Sequence, residues 1–229
     1  MKSSWWKYLC ALLLVYVYTA GLLLPVPRQP ILNETIRNVY FHVPLWFGMM
    51  ALMAVSAWHA VQYLRTNDLD RDTRSNELAN VGLLFGVLGY LTGAIWGNYT
   101  WGDPLPRDPR ILSSAAAMLI YLAYWVLRGS FRDEQQRARI AGVYNIFAFA
   151  CFIPLTFVLP RLTDSLHPGV GGNPAFAQYD MNSQMRMVFY PACIGFILLG
   201  LWIASLRIRV RRLELRAQEA QELSLNTSR

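Results

Sequence analysis

The chain alternates between long apolar stretches and shorter polar ones. Each apolar stretch is about twenty residues long, which is enough for a helix to cross the roughly 30 Å hydrocarbon layer of a membrane. The pattern therefore predicts an all-α fold, an integral membrane bundle of six transmembrane helices. The predicted spans are Tyr8–Leu24, Val43–Leu64, Leu78–Gly97, Ile111–Leu127, Ile140–Leu159 and Met187–Leu206.

The first span resembles a secretory signal peptide because Lys2 and Lys7 precede it. No small-x-small cleavage site lies near Pro25, however, so we interpret it as an uncleaved membrane helix. Only 15% of the 229 residues are charged, whereas a soluble domain has about a quarter. The chain is predicted to form one membrane domain, 1–229, that ends in a cytoplasmic tail, 207–229. This tail is basic and then rich in helix formers, which is typical of a membrane anchor followed by a solvated helix; docking to an ATPase subunit is the alternative.

The net charge of +7 indicates membrane topology rather than a nucleic-acid partner. If the N-terminus is cytoplasmic, fifteen of the 21 Lys and Arg residues fall in inner segments. The outer segments then hold only Arg28, Arg37, Arg107, Arg110, Arg161 and Arg186. This bias follows the positive-inside rule, so both termini are predicted to be cytoplasmic, with the lipid bilayer as a partner and no nucleic acid.

The predicted outer segments contain the unusual residues of the chain. Trp96–Arg110, WGNYTWGDPLPRDPR, is read as a connecting loop, although it carries two tryptophans. Tryptophans at such a position ordinarily anchor a protein at the membrane surface; the alternative is a flat apolar surface for a ligand. The cysteines all lie within spans and form no CxxC or CxxCH pattern, which leaves redox exchange, structural zinc and covalent haem attachment without a motif. They are Cys10, Cys151 and Cys193.

The chain has only three histidines. His42 at the start of the second span and His167 in the third outer segment are both predicted to face outward. His59 lies about 25 Å further along the second span, where a polar residue near the inner interface is expected and an inner haem entry point is the alternative. Two imidazoles without a third His or a Cys are too few for structural zinc. They match the axial pair of a haem iron, whose porphyrin supplies the other four nitrogens; surface anchoring of both rings is the alternative.

Three sequence stretches together resemble the haem exporter C protein family (CcmC) of bacterial cytochrome c maturation. They are RNVYFHVP, GAIWGNYTWG followed by RDPR, and DSLHPG. The resemblance covers about residues 8–206, and the order of the motifs makes it specific. It implies a haem-binding protein of the bacterial inner membrane that works with an ATP-binding-cassette exporter and a small membrane subunit, and that hands haem b, its cargo, to a periplasmic haem chaperone.

The resemblance also implies roles for individual residues. His42 and His167 match the two axial haem ligands, and Arg37 matches the arginine five residues before the first of them. Trp96 and Trp101 match the leading tryptophans of the family's tryptophan-rich loop. The closing Asp-x-Arg of that loop corresponds to Asp108 and Arg110.

The sequence departs from the family just before Asp108. Further tryptophans usually stand there, whereas this chain reads DPLPR, in which the prolines stiffen the backbone. The aromatic surface is therefore predicted to be smaller than in the family. On the same side, Arg37, Arg107 and Arg110 are candidate partners for the haem propionates.

Two other functions were weighed against haem delivery. A membrane b-type cytochrome would more often carry its histidines inside the spans, where the haem is buried. A small-molecule transporter would carry charged residues inside the spans, and these spans have essentially none. The glycines of the third span are predicted to form a close-packing helix face rather than a substrate path; they are Gly82, Gly86, Gly89 and Gly93. The sequence shows no nucleophile or acid–base pair, so the chain is predicted not to be an enzyme.

Overall fold

The computed structural model describes residues 4–28, 32–103, 107–162 and 181–227, and all of their regular structure is helical. Six helices are long and apolar enough to cross a membrane, which confirms the predicted architecture. They are α1 (Trp5–Leu23), α2 (His42–Thr66), α3 (Leu69–Trp101), α4 (Pro109–Gly129), α5 (Glu134–Ile153) and α6 (Ser183–Thr227). A 3-10 helix, Asn33–Tyr40, precedes α2, and α5 continues as a π-helical turn, Pro154–Val158, and a short 3-10 turn, Leu159–Arg161.

The helices run alternately up and down, so the bundle has two ends. We call the end at which α2 begins the histidine end, and the end at which α1 begins and α6 ends the terminal end. Aspartate side chains cap three of the helices, because a carboxylate accepts a backbone N–H that has no partner in the first turn. Asp68 and Asp133 cap α3 and α5 at the terminal end, and Asp108 caps α4 at the histidine end.

The prediction that Trp96–Arg110 is a connecting loop is wrong at both of its ends. Helix α3 continues through Trp101 and stops at Gly102, whose φ of 75° is the left-handed conformation that commonly ends a helix. Helix α4 already begins at Pro109, where the missing N–H of a proline costs nothing. The two tryptophans therefore lie on a rigid helix rather than on a loop.

The glycine face of α3 packs against α2, as predicted. A Cβ atom at Gly82 would lie 2.9 Å from the Met53 Cε, and one at Gly93 would lie 2.7 Å from the His42 Cε1. A side chain at Gly93 would therefore displace the imidazole ring or the helix, whereas the flexible end of Met53 can move away from one at Gly82. The close approach of α2 and α3 is what brings His42 against the last third of α3.

Helix α1 is fastened to α6 at a break in the backbone hydrogen bonding of α6. Pro191 lies inside α6 and has no N–H to donate to the carbonyl of Met187. The Tyr16 hydroxyl donates to that carbonyl oxygen at 3.2 Å instead. The histidine end of α1 also packs into a hydrophobic cluster with the 3-10 helix and α6, which includes Ile36 and Phe189.

Ion pairs join three helices at the terminal end. Asp72 of α3 accepts two hydrogen bonds from the Arg128 guanidinium of α4, at 2.7 and 2.5 Å. Glu77 of α3 pairs with Arg207 of α6 at 2.7 Å. Helix α6 continues from there to Thr227, and its residues from 216 to 225 are exposed. The charges that flank the spans thus hold α4 and α6 against α3.

Candidate functional site

His42 is the first residue of α2, and α3 fixes the orientation of its ring. Its Nδ1 lies 2.9 Å from the carbonyl oxygen of Gly89 and 3.2 Å from the Thr92 hydroxyl oxygen. A carbonyl oxygen only accepts hydrogen bonds, so Nδ1 carries the proton. In the neutral ring the lone pair is then on Nε2, which is the state in which a histidine ligates a metal while its other nitrogen donates to a backbone carbonyl.

The hydroxyl of Thr92 supports the same arrangement. It donates its only proton to the carbonyl oxygen of Leu88 or of Gly89, which lie 2.9 and 3.0 Å from the hydroxyl oxygen. Its oxygen is thereby oriented to accept from Nδ1 of His42. The imidazole is 9% exposed, so its position is set by helix packing rather than by solvent.

Aromatic rings extend from His42 in both directions. The ring of Trp46, one turn further along α2, lies 6.5 Å from the imidazole between centroids, and the ring of Trp96 lies 6.3 Å from it on the other side. Trp101 continues the row at 5.6 Å from Trp96. We call these four residues, Trp46, His42, Trp96 and Trp101, the aromatic row. The rings are inclined to one another, and they surround the histidine with apolar groups as far as the end of α3.

Of the two tryptophans that the sequence predicts to contact haem, Trp96 and Trp101, Trp96 is the buried one. It is 7% exposed, and its indole N–H donates to the Thr35 hydroxyl at 3.2 Å. Trp101 is half-buried. The two residues therefore differ in role: Trp96 joins α3 to the 3-10 helix, and Trp101 presents more of its ring at the histidine end.

Arg37 connects the 3-10 helix that precedes α2 to the end of α1. Its Nη1 donates to the carbonyl oxygens of Gly21 and Leu24, at 2.8 and 2.6 Å, and its Nε donates to Glu34 at 2.8 Å. A cation at this position binds the last carbonyls of α1, which have no partner within the helix. This structural role stands beside the predicted contact with a haem propionate, which stays a prediction.

Asp108 and Arg110 form the start of α4. The Asp108 carboxylate is buried and accepts the backbone N–H of Arg110 at 2.8 Å, as a helix cap. The Asp-x-Arg spacing therefore fixes where α4 begins beside the end of α3. Arg107, which lies between the end of α3 and the start of α4, is exposed.

The second predicted ligand, His167, lies outside the described residues, which stop at 162 and resume at 181. The segment that carries it joins Leu162 to Met181, and both of these flanking positions are at the histidine end. His59 lies further along α2, towards the terminal end and away from His42, as predicted. Within the described ranges, no three His, Cys, Asp or Glu side chains come together as a metal site.

The sequence analysis did not identify several residues of this site. Trp46 follows His42 by four residues, a spacing that places both on one helix face, so its signal was present. Gly89 and Gly93 were recognised as packing residues, but not as the residues that make room for Trp46 and His42. Thr35 and Thr92 gave no signal, because a hydroxyl group in a helix usually bonds to its own backbone.

Comparison with known proteins shows the family to which the chain belongs. The family profile described as "Heme exporter protein C" (CcmC) matches residues 1–223. The Heme exporter protein C of Paracoccus denitrificans is 28% identical over 197 residues, covering 83% of this chain and 79% of the relative. That of Haemophilus influenzae is 27% identical over 193 residues, covering 80% and 73%.

The Heme exporter protein C of Escherichia coli is 25% identical over 203 residues, which cover 86% of this chain and 79% of the relative. The family profile extends over all six spans, which include the helices that carry His42, Trp96 and Trp101. The chain therefore belongs to the Heme exporter protein C family.

Proposed function

We propose that this protein binds haem b at the periplasmic face of the bacterial inner membrane and delivers it to a periplasmic haem chaperone for c-type cytochrome biogenesis. The observation that carries the proposal is the hydrogen bond from His42 Nδ1 to the Gly89 carbonyl oxygen. It assigns the lone pair to Nε2, the nitrogen that an axial ligand needs. His167 supplies the second axial bond from the segment between α5 and α6.

The position of His42 favours a haem that is bound and then released. The residue stands at the first turn of α2, at the mouth of the bundle, and not in the middle of a span. A resident haem of a b-type cytochrome would be held between histidines deeper in the bundle. Trp96 and Trp101 lie against one side of the haem, and Trp101, the more exposed of the two, takes part in presenting its edge to the acceptor.

The cations and the carboxylate of the site have supporting roles in this proposal. The Arg37 guanidinium fixes the approach of α1 to the 3-10 helix through the bonds described above and lies near enough in sequence to His42 to meet a propionate. Asp108 positions the first turn of α4, and Arg110 provides a further cation beside it. Beyond the two axial bonds to iron, haem transfer needs no bond to be made or broken by this chain. In this proposal the protein is a subunit of an ATP-binding-cassette export system, with a small membrane subunit beside it, and not an enzyme.

Haem transfer to an acceptor is the test of this function. The full-length protein in mild detergent is loaded with haem b and mixed with a purified periplasmic haem chaperone, and the haem absorbance of the two is followed after separation. We expect haem to move to the chaperone. If haem stays with this protein while it exchanges electrons rapidly with a quinone, the protein is an electron carrier and the proposal fails.

A further inference from the structure

Helices α4 and α6 both pack on α3, yet nowhere in the described ranges do they come within 8 Å of one another between Cα atoms. A groove therefore runs along α3 between them. The floor of the groove is a stripe of α3 at helical spacing. Towards the histidine end it is apolar and exposed, at Leu84, Leu88 and Leu91. Towards the terminal end it becomes polar, at Asn80 and Asn76.

The polar part of the groove opens into a cavity of about 720 Å³ at the terminal end. That volume lies in the range of about 300–1,000 Å³ that small-molecule sites occupy. Its walls come from the last turn of α4, the first turn of α5 and the part of α6 that leaves the apolar span. The cavity thus lies at the level where the hydrocarbon layer gives way to lipid headgroups and water.

The charges that line the cavity balance. Each carboxylate forms an ion pair with one guanidinium, and each of these pairs contributes to the wall. The pairs are Asp72–Arg128, Glu77–Arg207, Glu134–Arg137 and Glu214–Arg211. A cavity without net charge favours a ligand that is itself neutral overall but carries both signs.

Several donors and acceptors in the cavity have capacity beyond these pairs. Arg207 uses Nε for Glu77, and Arg211 uses Nη1 for Glu214, so the other N–H groups of both guanidinium groups remain for a ligand. Their side chains are 51% and 39% exposed. Guanidinium groups bind phosphate oxygens in a forked geometry. The carboxylates of Glu134 and Glu214 are about half exposed and can accept hydrogen bonds from an ammonium group.

We propose that the groove binds one zwitterionic phospholipid, whose phosphate and primary ammonium groups occupy the cavity and whose acyl chain lies along the α3 stripe. The polar-to-apolar order of the stripe matches the order of headgroup and chain. The lining contains no His, Cys or Met residue, so a haem iron would find no side-chain ligand of those types there. A transmembrane helix of a partner would fill the apolar part but would leave the remaining N–H groups of Arg207 and Arg211 without an acceptor.

The experiment is native mass spectrometry of the delipidated full-length protein in detergent, with phosphatidylethanolamine or phosphatidylglycerol added at equal concentration. We expect one tightly bound phosphatidylethanolamine, preferred at least tenfold over phosphatidylglycerol. The variant Arg211→Gln should lose at least tenfold in that binding. The control is Arg216→Gln, an exposed arginine of the same helix that does not line the cavity, and it should bind like the wild type.

Four results would overturn the proposal. The first is equal binding of both lipids, and the second is undiminished binding by the Arg211→Gln variant. The third is competition by soluble glycerophosphoethanolamine as strong as that by the lipid, since the α3 stripe would then add nothing. The fourth comes from a photoreactive group attached at Leu88→Cys in native membranes: crosslinks to another membrane polypeptide in place of phospholipid would assign the groove to a partner helix.

Discussion

The Cα of Gly93 faces the imidazole of His42 so closely that a Cβ atom there would lie 2.7 Å from the ring carbon Cε1. Real side chains do not tolerate that distance, so a side chain at this position must move either the ring or the helix. The Gly93 position on α3 therefore controls where the Nε2 of His42 points. This relationship gives the first prediction.

Gly93→Ala should weaken haem binding by roughly 10–100-fold, the range for a change that disturbs the support of a metal ligand. The measurement is haem affinity of the purified protein by absorbance titration. Gly82→Ala is the matched control, because it makes the same change on the same face of α3 but meets the flexible end of Met53. If both variants bind haem equally, the packing of Gly93 against His42 does not position the ligand.

Trp101→Ala should slow haem transfer to the chaperone while most of the haem stays bound. Aromatic contacts add on the order of 0.5–1.5 kcal/mol beyond the area that they bury, which is less than the loss of an axial bond. The comparison is made at equal haem loading by stopped-flow mixing. Transfer at the wild-type rate would indicate that the Trp101 indole is an interfacial anchor and takes no part in haem transfer.

Trp5→Ala serves as the control for that measurement. Trp5 is 64% exposed near the start of α1, at the opposite end of the bundle, and its loss should leave the transfer rate unchanged. An equal slowing by both substitutions would point to a general effect on the bundle.

Arg128→Met should destabilise the fold by about 3–5 kcal/mol, because it leaves a buried carboxylate without its partner. The side chains of Asp72 and Arg128 are only 7% and 13% exposed. Thermal unfolding in detergent measures the loss, and the second substitution Asp72→Leu should recover much of it.

The control for this pair is Arg71→Gln. Arg71 lies 3.8 Å from Asp68, and both side chains are more than 40% exposed, so its loss should cost less than about 1 kcal/mol. Equal destabilisation by Arg128→Met and Arg71→Gln would contradict the buried pair between α3 and α4.

The predicted orientation has a direct test by cysteine labelling. In a variant without Cys10, Cys151 and Cys193, Tyr99→Cys at the histidine end should react with a membrane-impermeant maleimide added to spheroplasts. Arg132→Cys at the terminal end should react only after the membrane is opened, because the positive-inside bias places it in the cytoplasm. The reverse labelling pattern would show that the topology is inverted and that the site does not face the periplasm.

The number and order of the helices followed from the sequence because apolar length alone decides which segments enter a bilayer. Their ends did not, because a helix continues into water wherever its polar residues still favour it. Helix α3 begins at Leu69 rather than near Leu78, and α6 extends far beyond Leu206. The stop signal at Gly102, followed by Asp103 and Pro104, was visible in the sequence and would have placed Trp101 on the helix.

The site itself was predictable only in part. His42 and the two tryptophans stood out because such residues are few and lie beside polar segments. The partners that orient them did not, because a backbone carbonyl such as that of Gly89 has no signature in the sequence. The same holds for the half-buried acceptor Thr35, which contacts Trp96 only through the folding of the 3-10 helix against α3.

The absorption spectrum of the haem-loaded protein in mild detergent tests the central claim most directly. The wild type should show the low-spin spectrum of bis-imidazole haem. His42→Ala and His167→Ala should each abolish that spectrum and sharply lower the amount of bound haem, whereas His59→Ala, on the same helix as His42, should leave both unchanged. An unaltered bis-imidazole spectrum in either of the first two variants would contradict the assignment of His42 and His167 as the axial pair.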